Sequence, residues 1–256
     1  MSDRNTQTGK RKEPIEKKVD KLDGQEAIVA LEKAVRAISD KSPMYKELAG
    51  LYRGQHQAAD ALRAIRKAIK YLPSDIQARE TLLEILIELG RFDEAIEEAK
   101  ELLQFSPRNL NAKDALSVAY LQKGMLDNAL QVTNELINMD PTSAANHFKK
   151  ACLYQQKGDV GGAIQEFSRV LEMQPDSEIA QDARQSIEAL DSYQLRYIVM
   201  LAVEDSIFRA KLARDPEAAA LERGYCLSYS GLAALKQIQF DDLPEVYSDW
   251  KQKYYH

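Results

Sequence analysis

Histidine and cysteine are the side chains best suited to ligate a metal or to act in catalysis, and this chain has few of them. Its 256 residues include only five such positions: His56, His147, His256, Cys152 and Cys226. His147 and Cys152 are five residues apart, a spacing that does not place two side chains on one helical face. No glycine-rich phosphate loop is present. The sequence therefore predicts no catalytic residue, no metal site and no cofactor, and it favours a protein that is not an enzyme.

Composition narrows the class of protein further. The chain is 45% hydrophobic and 29% charged, and its 11 glycines and 8 prolines are few, which favours a helical globular protein. Two cysteines are too few for a disulfide framework, and the N-terminal residues contain no apolar signal segment. The apolar run at 197–203 is too short to span a membrane. We therefore expect a cytoplasmic protein without a membrane span.

Charge is distributed unevenly along the chain. The net charge is −5, which gives no reason to expect a nucleic-acid partner. Residues 42–75 carry six basic and three acidic side chains, whereas 76–109 carry four basic and eight acidic ones. Four basic residues share one helix face: Arg63, Arg66, Lys67 and Lys70. This face is either a solvated outer surface or a salt-dependent contact with an acidic partner, and no aromatic stacking platform accompanies it.

A repeat of 34 residues supplies the elements that must position these side chains. Glycine recurs at Gly90, Gly124 and Gly158; alanine at Ala61, Ala95, Ala129 and Ala163; and proline at Pro73, Pro107, Pro141 and Pro175. The glycine suits the end of a first helix and the proline suits the end of a second helix. The spacing predicts at least eight helices between 42 and 175, with turns near 54–57, 90–92, 124–126 and 158–161.

These residues resemble the tetratricopeptide repeat, whose pattern places small, bulky and proline residues at set positions of a 34-residue unit. The four copies span 42–75, 76–109, 110–143 and 144–177. His56 stands where the other copies have the turn glycine. The resemblance implies an all-α fold, an α-solenoid of helix pairs that bury their apolar faces against each other and leave one concave side.

The resemblance also implies which residues face the concave groove. In this family, positions 2, 5, 9 and 12 of each first helix line that side. The candidate groove residues are Lys46, Arg53, Glu80, Glu84, Ile87, Asp114, Val118, Leu121, Phe148 and Gln155. Acidic residues at three of these positions disfavour a ligand with a free C-terminal carboxylate, because buried like charges repel. We expect a basic or apolar peptide or protein as partner.

Both ends of the repeat array are expected to differ from the repeats. Residues 24–41 fit a partial repeat helix, and the charged segment 1–23 is expected to be weakly ordered. Residues 178–191 are amphipathic and follow Pro175, so we expect a capping helix that covers the last apolar face. The two solenoid ends are also candidate surfaces for self-association.

Residues 192–256 have no 34-residue match but are helical in pattern. Within 195–240, the run from Asp205 to Gly224 resembles the leader domains of bacterial precursor peptides of the Nif and nitrile-hydratase types. Neither a Gly-Gly cleavage site nor a Cys/Ser/Thr-rich core peptide follows Ile238. We therefore expect a helical docking module. Its candidate docking residues are Phe208, Leu212, Tyr225 and Tyr229.

Two functional hypotheses follow from the sequence. The first is a non-enzymatic adaptor that holds a peptide or helix of another protein in the repeat groove. The second is an assembly or maturation factor for a bacterial biosynthetic system, in which 192–256 is the docking element. For 192–256, the alternative to docking is that its apolar face packs on the end of the solenoid.

Overall fold

The computed structural model describes residues 24–35 and 41–243. Thirteen α-helices and one short 3-10 helix account for most of these residues, and no strand occurs among them. The predicted all-α fold is therefore confirmed. The predicted N-terminal segment 1–23 lies outside the described residues. The helices form two compact units that meet in sequence between Lys123 and Gly124.

The described part of the first unit contains six helices, and α1 lies within the range 24–41 in which a partial repeat helix is expected. The helices are α1 (Gly24–Val35), α2 (Ser42–Gly54), α3 (Ala58–Tyr71), α4 (Ile76–Glu88), α5 (Phe92–Phe105) and α6 (Leu110–Gln122). Short turns at 55–57 and 89–91 join α2 to α3 and α4 to α5, so each pair is a helical hairpin. Ala61 and Ala95, from the 34-residue pattern, are fully buried where the helices approach.

In the second unit, residues 124–243 are described and contain seven helices and the 3-10 helix. The helices are α7 (Leu126–Met139), α8 (Ala144–Lys157), α9 (Val160–Met173), α10 (Glu178–Glu204), α11 (Ser206–Arg214), α12 (Pro216–Glu222) and α13 (Tyr229–Lys236), and the 3-10 helix is Phe240–Asp242. The eight helices α2 to α9 fill the span from 42 to 173, as the repeat predicts. Among the described residues, no helix combines the length and apolarity needed to cross a membrane.

The repeat glycines hold the turns within the helix pairs. Gly90, Gly124 and Gly158 have φ angles of 68°, 70° and 81°, a left-handed conformation that costs glycine little. His56 takes the same conformation, with φ of 57°, although it has a side chain. His56 in place of the glycine predicts a looser first turn, but this turn has the same left-handed conformation as the others.

Capping residues begin the first helix of each of the three later pairs and also begin α10. The side chains of Asp75, Asn109, Ser143 and Ser177 each accept a hydrogen bond from the backbone N–H three residues on. Each lies two residues after a repeat proline, so the proline ends one helix and the cap starts the next. The proline and the capping side chain together determine where α4, α6, α8 and α10 begin.

The predicted break between a capping helix at 178–191 and a module at 192–256 is wrong. Helix α10 runs without interruption from Glu178 to Glu204. Its first half packs against α9, where Ala183 and Ile187 join the apolar core of the fourth repeat. Its second half packs against the C-terminal helices through Ile198 and Ala202. The C-terminal helices therefore pack against the same helix that covers the last repeat.

Candidate peptide-binding groove

Three helices of the first unit, each the first helix of its repeat pair, border a shallow depression of about 300 Å³. Its lining comes from α2, α4 and α6, and it contains five of the ten predicted groove residues: Arg53, Glu84, Ile87, Asp114 and Val118. Apolar side chains therefore lie beside charged ones.

Arg53 spans the depression between two helices. Its Nη1 lies 2.6 Å from Glu84 Oε2, and its Nη2 donates to Glu88 Oε1. Glu84 and Glu88 are four residues apart on α4, so their carboxylates share one face. Hydrogen bonds to Glu88 and Glu84 raise the pKa of Arg53 in spite of its partial burial. The guanidinium therefore stays charged and joins α2 to α4.

Three other predicted groove residues, on the same helices, lie outside the lining of this depression: Lys46, Glu80 and Leu121. Lys46 Nζ lies 2.8 Å from Asp75 Oδ2. Burial alone would raise the pKa of Asp75, but the hydrogen bond from Lys46 holds it below its ordinary value. Glu80 Oε1 accepts a hydrogen bond of 2.7 Å from Asn109 Nδ2. Lys46 and Glu80 therefore also link neighbouring helices.

The last two predicted groove residues belong to the second unit. The Phe148 ring packs edge-on against Phe167, with 5.3 Å between ring centroids, and contacts the core of the fourth repeat. Gln155 is exposed on α8. Phe148 therefore has a packing role within its own unit.

Sequence reasoning missed three lining residues: Glu88, Asn111 and Ala115. Asn111 occupies position 2 of the third copy, a position that lines the groove in the family, so applying the whole pattern would have found it. Glu88 lies one turn beyond Glu84 on the same helical face. Nothing in the sequence distinguishes Ala115 from the packing alanines.

The predicted docking residues Phe208 and Leu212 are core residues, which contradicts their assignment to a docking surface. Their exposed fractions are 1% and 0%, and they pack with Ile198, Leu235 and Phe240. Tyr225 is half-buried against the same cluster. Tyr229 alone of the four predicted docking residues is widely exposed, at 91%. The amphipathic face of 192–240 is therefore used for packing within the second unit.

The histidines, cysteines and carboxylates are the side chains that could bind a metal ion. Within 24–35 and 41–243, no group of three or more His, Cys, Asp or Glu side chains is arranged to hold a metal ion. Burial raises the pKa of the Cys152 thiol, which leaves it in the less nucleophilic protonated form.

Comparison with known families identifies the repeats. Tetratricopeptide-repeat models match residues 52–118, 86–152 and 144–177. Among solved structures, residues 41 to the end of MamA from Desulfovibrio magneticus RS-1 give a TM-score of 0.59 at 16% identity, covering 64% of this chain and 93% of that one. YrrB, a tetratricopeptide-repeat protein, gives 0.56 at 19% identity, covering 63% of this chain and 84% of that one. A comparison with curated proteins gives no match.

The helix pairs, the buried alanines and the left-handed turns define an all-α helical-repeat protein. The matches show that its repeats are tetratricopeptide repeats, and its fold is that of the tetratricopeptide solenoids. The leader-domain resemblance of 195–240 has no counterpart among these matches.

Proposed function

We propose that this protein is a non-enzymatic interaction scaffold that holds a basic or apolar peptide or helix of another protein in the depression on α2, α4 and α6. The observation that carries the proposal is the mixed lining of that depression, in which Ile87 and Val118 lie beside Glu84, Glu88 and Asp114. Carboxylates favour a basic ligand over a free C-terminal carboxylate. YrrB, which is similar in fold, is described as having an unusual peptide-binding site.

A direct binding measurement tests this proposal. The probe is a fluorescein-labelled, C-terminally amidated nonapeptide of alternating leucine and arginine, measured by fluorescence anisotropy. We expect saturable binding that weakens with added salt, because part of the attraction is between opposite charges. Lysine in place of Val118 puts a positive charge into the lining, so Val118→Lys is expected to weaken binding at least tenfold, a loss of about 1.4 kcal/mol.

Val29→Lys is the matched control. Val29 is 43% exposed on α1, outside the depression, and this substitution adds the same charge to the same unit. Equal loss of affinity in both variants would mean that overall charge governs binding. Absence of binding to the unsubstituted protein at millimolar peptide would reject the groove as a site for this class of ligand.

The second hypothesis, a maturation factor that docks through its C-terminal helices, receives less support. It requires an exposed apolar face on those helices, but Phe208 and Leu212 are buried. Tyr229 remains accessible. The groove is therefore the better-supported site.

A further inference from the structure

The contact between Arg53 and α4 has the geometry of a recognition contact. One guanidinium donates from Nη1 to Glu84 and from Nη2 to Glu88, so each of two neighbouring carboxylates accepts one N–H group. The arrangement suits guanidinium in particular, because its N–H groups are fixed in a planar fork, whereas an ammonium group is a compact point charge. The two carboxylates thus form a receptor for an arginine side chain, and Arg53 occupies it.

This receptor is open to an incoming ligand. The side chains of Glu84 and Glu88 are 54% and 45% exposed, and that of Arg53 is 30% exposed. Exposed ion pairs contribute little to stability, because water screens the charges and both side chains lose conformational freedom. Arg53 can therefore leave the carboxylates at small cost. Ile87 and Val118 line the same depression and would contact the ligand's apolar side chains.

We propose that Arg53 is an internal competitor that occupies the Glu84–Glu88 receptor until an arginine of the bound peptide displaces it. This inference rests on the proposed function of the groove. It specifies the ligand as an arginine-bearing peptide with apolar neighbours, and it makes Arg53 a restraint on affinity. On binding, the ligand's arginine replaces Arg53 as the hydrogen-bond donor to Glu84 and Glu88. The contact within the protein is lost when the contact with the ligand forms.

The test measures the amidated leucine–arginine nonapeptide on the full-length protein and on Arg53→Gln. Removing the competitor is expected to tighten binding by roughly three- to tenfold, the range that one or two exposed ion pairs represent. For a nonapeptide with lysine in place of arginine, Arg53→Gln is expected to increase the affinity less, because an ammonium group lacks the planar N–H geometry of a guanidinium group. Adding Glu84→Gln and Glu88→Gln to the Arg53→Gln variant is expected to abolish this increase in affinity.

Arg66→Gln is the matched control for charge. Arg66 lies on α3 of the same unit and also forms an interhelical ion pair, with its Nη2 2.5 Å from Glu94 Oε2, but it does not line the depression. The substitution removes the same charge without freeing Glu84 or Glu88. An equal increase in peptide affinity in Arg53→Gln and Arg66→Gln would overturn the proposal that Arg53 is a competitor. The increase would then be explained by the change in net charge. Weaker binding in Arg53→Gln would overturn it as well, since Arg53 would then be a ligand contact.

A spectroscopic readout separates displacement from other effects. The Nε–Hε resonance of Arg53 in the unsubstituted protein is expected to move toward the position of a solvated arginine as the nonapeptide is added. If the peptide binds while this resonance and the affinity of Arg53→Gln stay unchanged, the groove function stands and the competitor is rejected. If neither the unsubstituted protein nor Arg53→Gln binds the peptide, both the function and the competitor are rejected.

Discussion

At the scale of single residues, one buried ionic cluster fixes the fourth repeat. Glu166 on α9 is 4% exposed, and its Oε2 lies 2.7 Å from His147 Nδ1 of α8. Lys150 Nζ lies 3.0 Å from Glu166 Oε1, and Arg169 Nη1 lies 4.0 Å from Oε2. Burial alone would raise the pKa of Glu166, but hydrogen bonds from His147 and Lys150 outweigh it and hold that pKa below its ordinary value. The folded state therefore favours the charged carboxylate.

Replacing Glu166 with glutamine tests this contribution as a function of pH. At neutral pH, Glu166→Gln is expected to lower the free energy of unfolding by about 1–3 kcal/mol, because buried donors lose a charged acceptor. The folded pKa is below the ordinary value of 4.5, so the carboxylate's contribution is complete above that value and is lost as the pH falls through the folded pKa. In urea denaturation, the difference between the two proteins is therefore expected to shrink in acid.

Glu172→Gln is the control for this experiment, because Glu172 is exposed on the same helix. It is expected to change the free energy of unfolding by less than about 0.5 kcal/mol. A difference for Glu166→Gln that widens as the solution is acidified would contradict the depressed pKa.

At the scale of elements, sequence periodicity predicted the repeat helices well and the helix after them poorly. The 34-residue spacing located α2 to α9 because glycine and proline mark where those helices end. No such residue lies between Glu178 and Glu204, so α10 continues until Asp205. The Asp205 side chain accepts hydrogen bonds from the N–H groups of Ile207 and Phe208 and starts α11. A capping aspartate, rather than the expected repeat length, therefore sets this boundary.

Two polar side chains in the middle of α10 hold the C-terminal helices. Asp191 accepts hydrogen bonds from the backbone N–H and the hydroxyl of Ser228, which caps the start of α13. Gln194 exchanges two hydrogen bonds of 2.8 Å with the backbone of Cys226. A Cβ on Gly231 would lie 2.5 Å from Asp191, so the close approach requires glycine. Sequence alone gave no sign of these contacts, because Asp191 and Gln194 look like solvated positions of a surface helix.

Removing the charge of Asp191 tests this attachment. Asp191→Asn keeps the size of the side chain but loses a charged acceptor for Ser228 and the favourable position of an anion at a helix N-terminus. We expect a loss of about 1–3 kcal/mol in the free energy of unfolding, measured by urea denaturation. The control Asp182→Asn, on the exposed face of α10, is expected to have little effect. Equal stabilities for the two variants would mean that the C-terminal helices do not depend on this contact.

At the scale of the whole molecule, the repeat pattern predicts which residues share a helix face. It does not predict which other residues pack against that face. It placed five of the ten predicted groove residues around one depression, because first-helix positions recur with the repeat. The same kind of amphipathic pattern in 192–240 also predicts a docking surface, but Phe208 and Leu212 are buried by helices from their own unit. Periodicity identifies an apolar face, whereas tertiary packing decides whether that face stays exposed.

Phe208→Ala distinguishes a packing role from a docking role. Phe208 is 1% exposed in the core of the second unit, so its truncation is expected to lower the free energy of unfolding by about 3–5 kcal/mol. Tyr229→Ala, at a side chain that is 91% exposed, is expected to change it by less than about 0.5 kcal/mol. Because every lining residue of the depression belongs to the first unit, both variants are expected to bind the leucine–arginine nonapeptide with unchanged affinity below their melting temperatures. A Phe208→Ala protein of unchanged stability would show that this face is not part of the core, and the docking hypothesis for the C-terminal helices would regain its support.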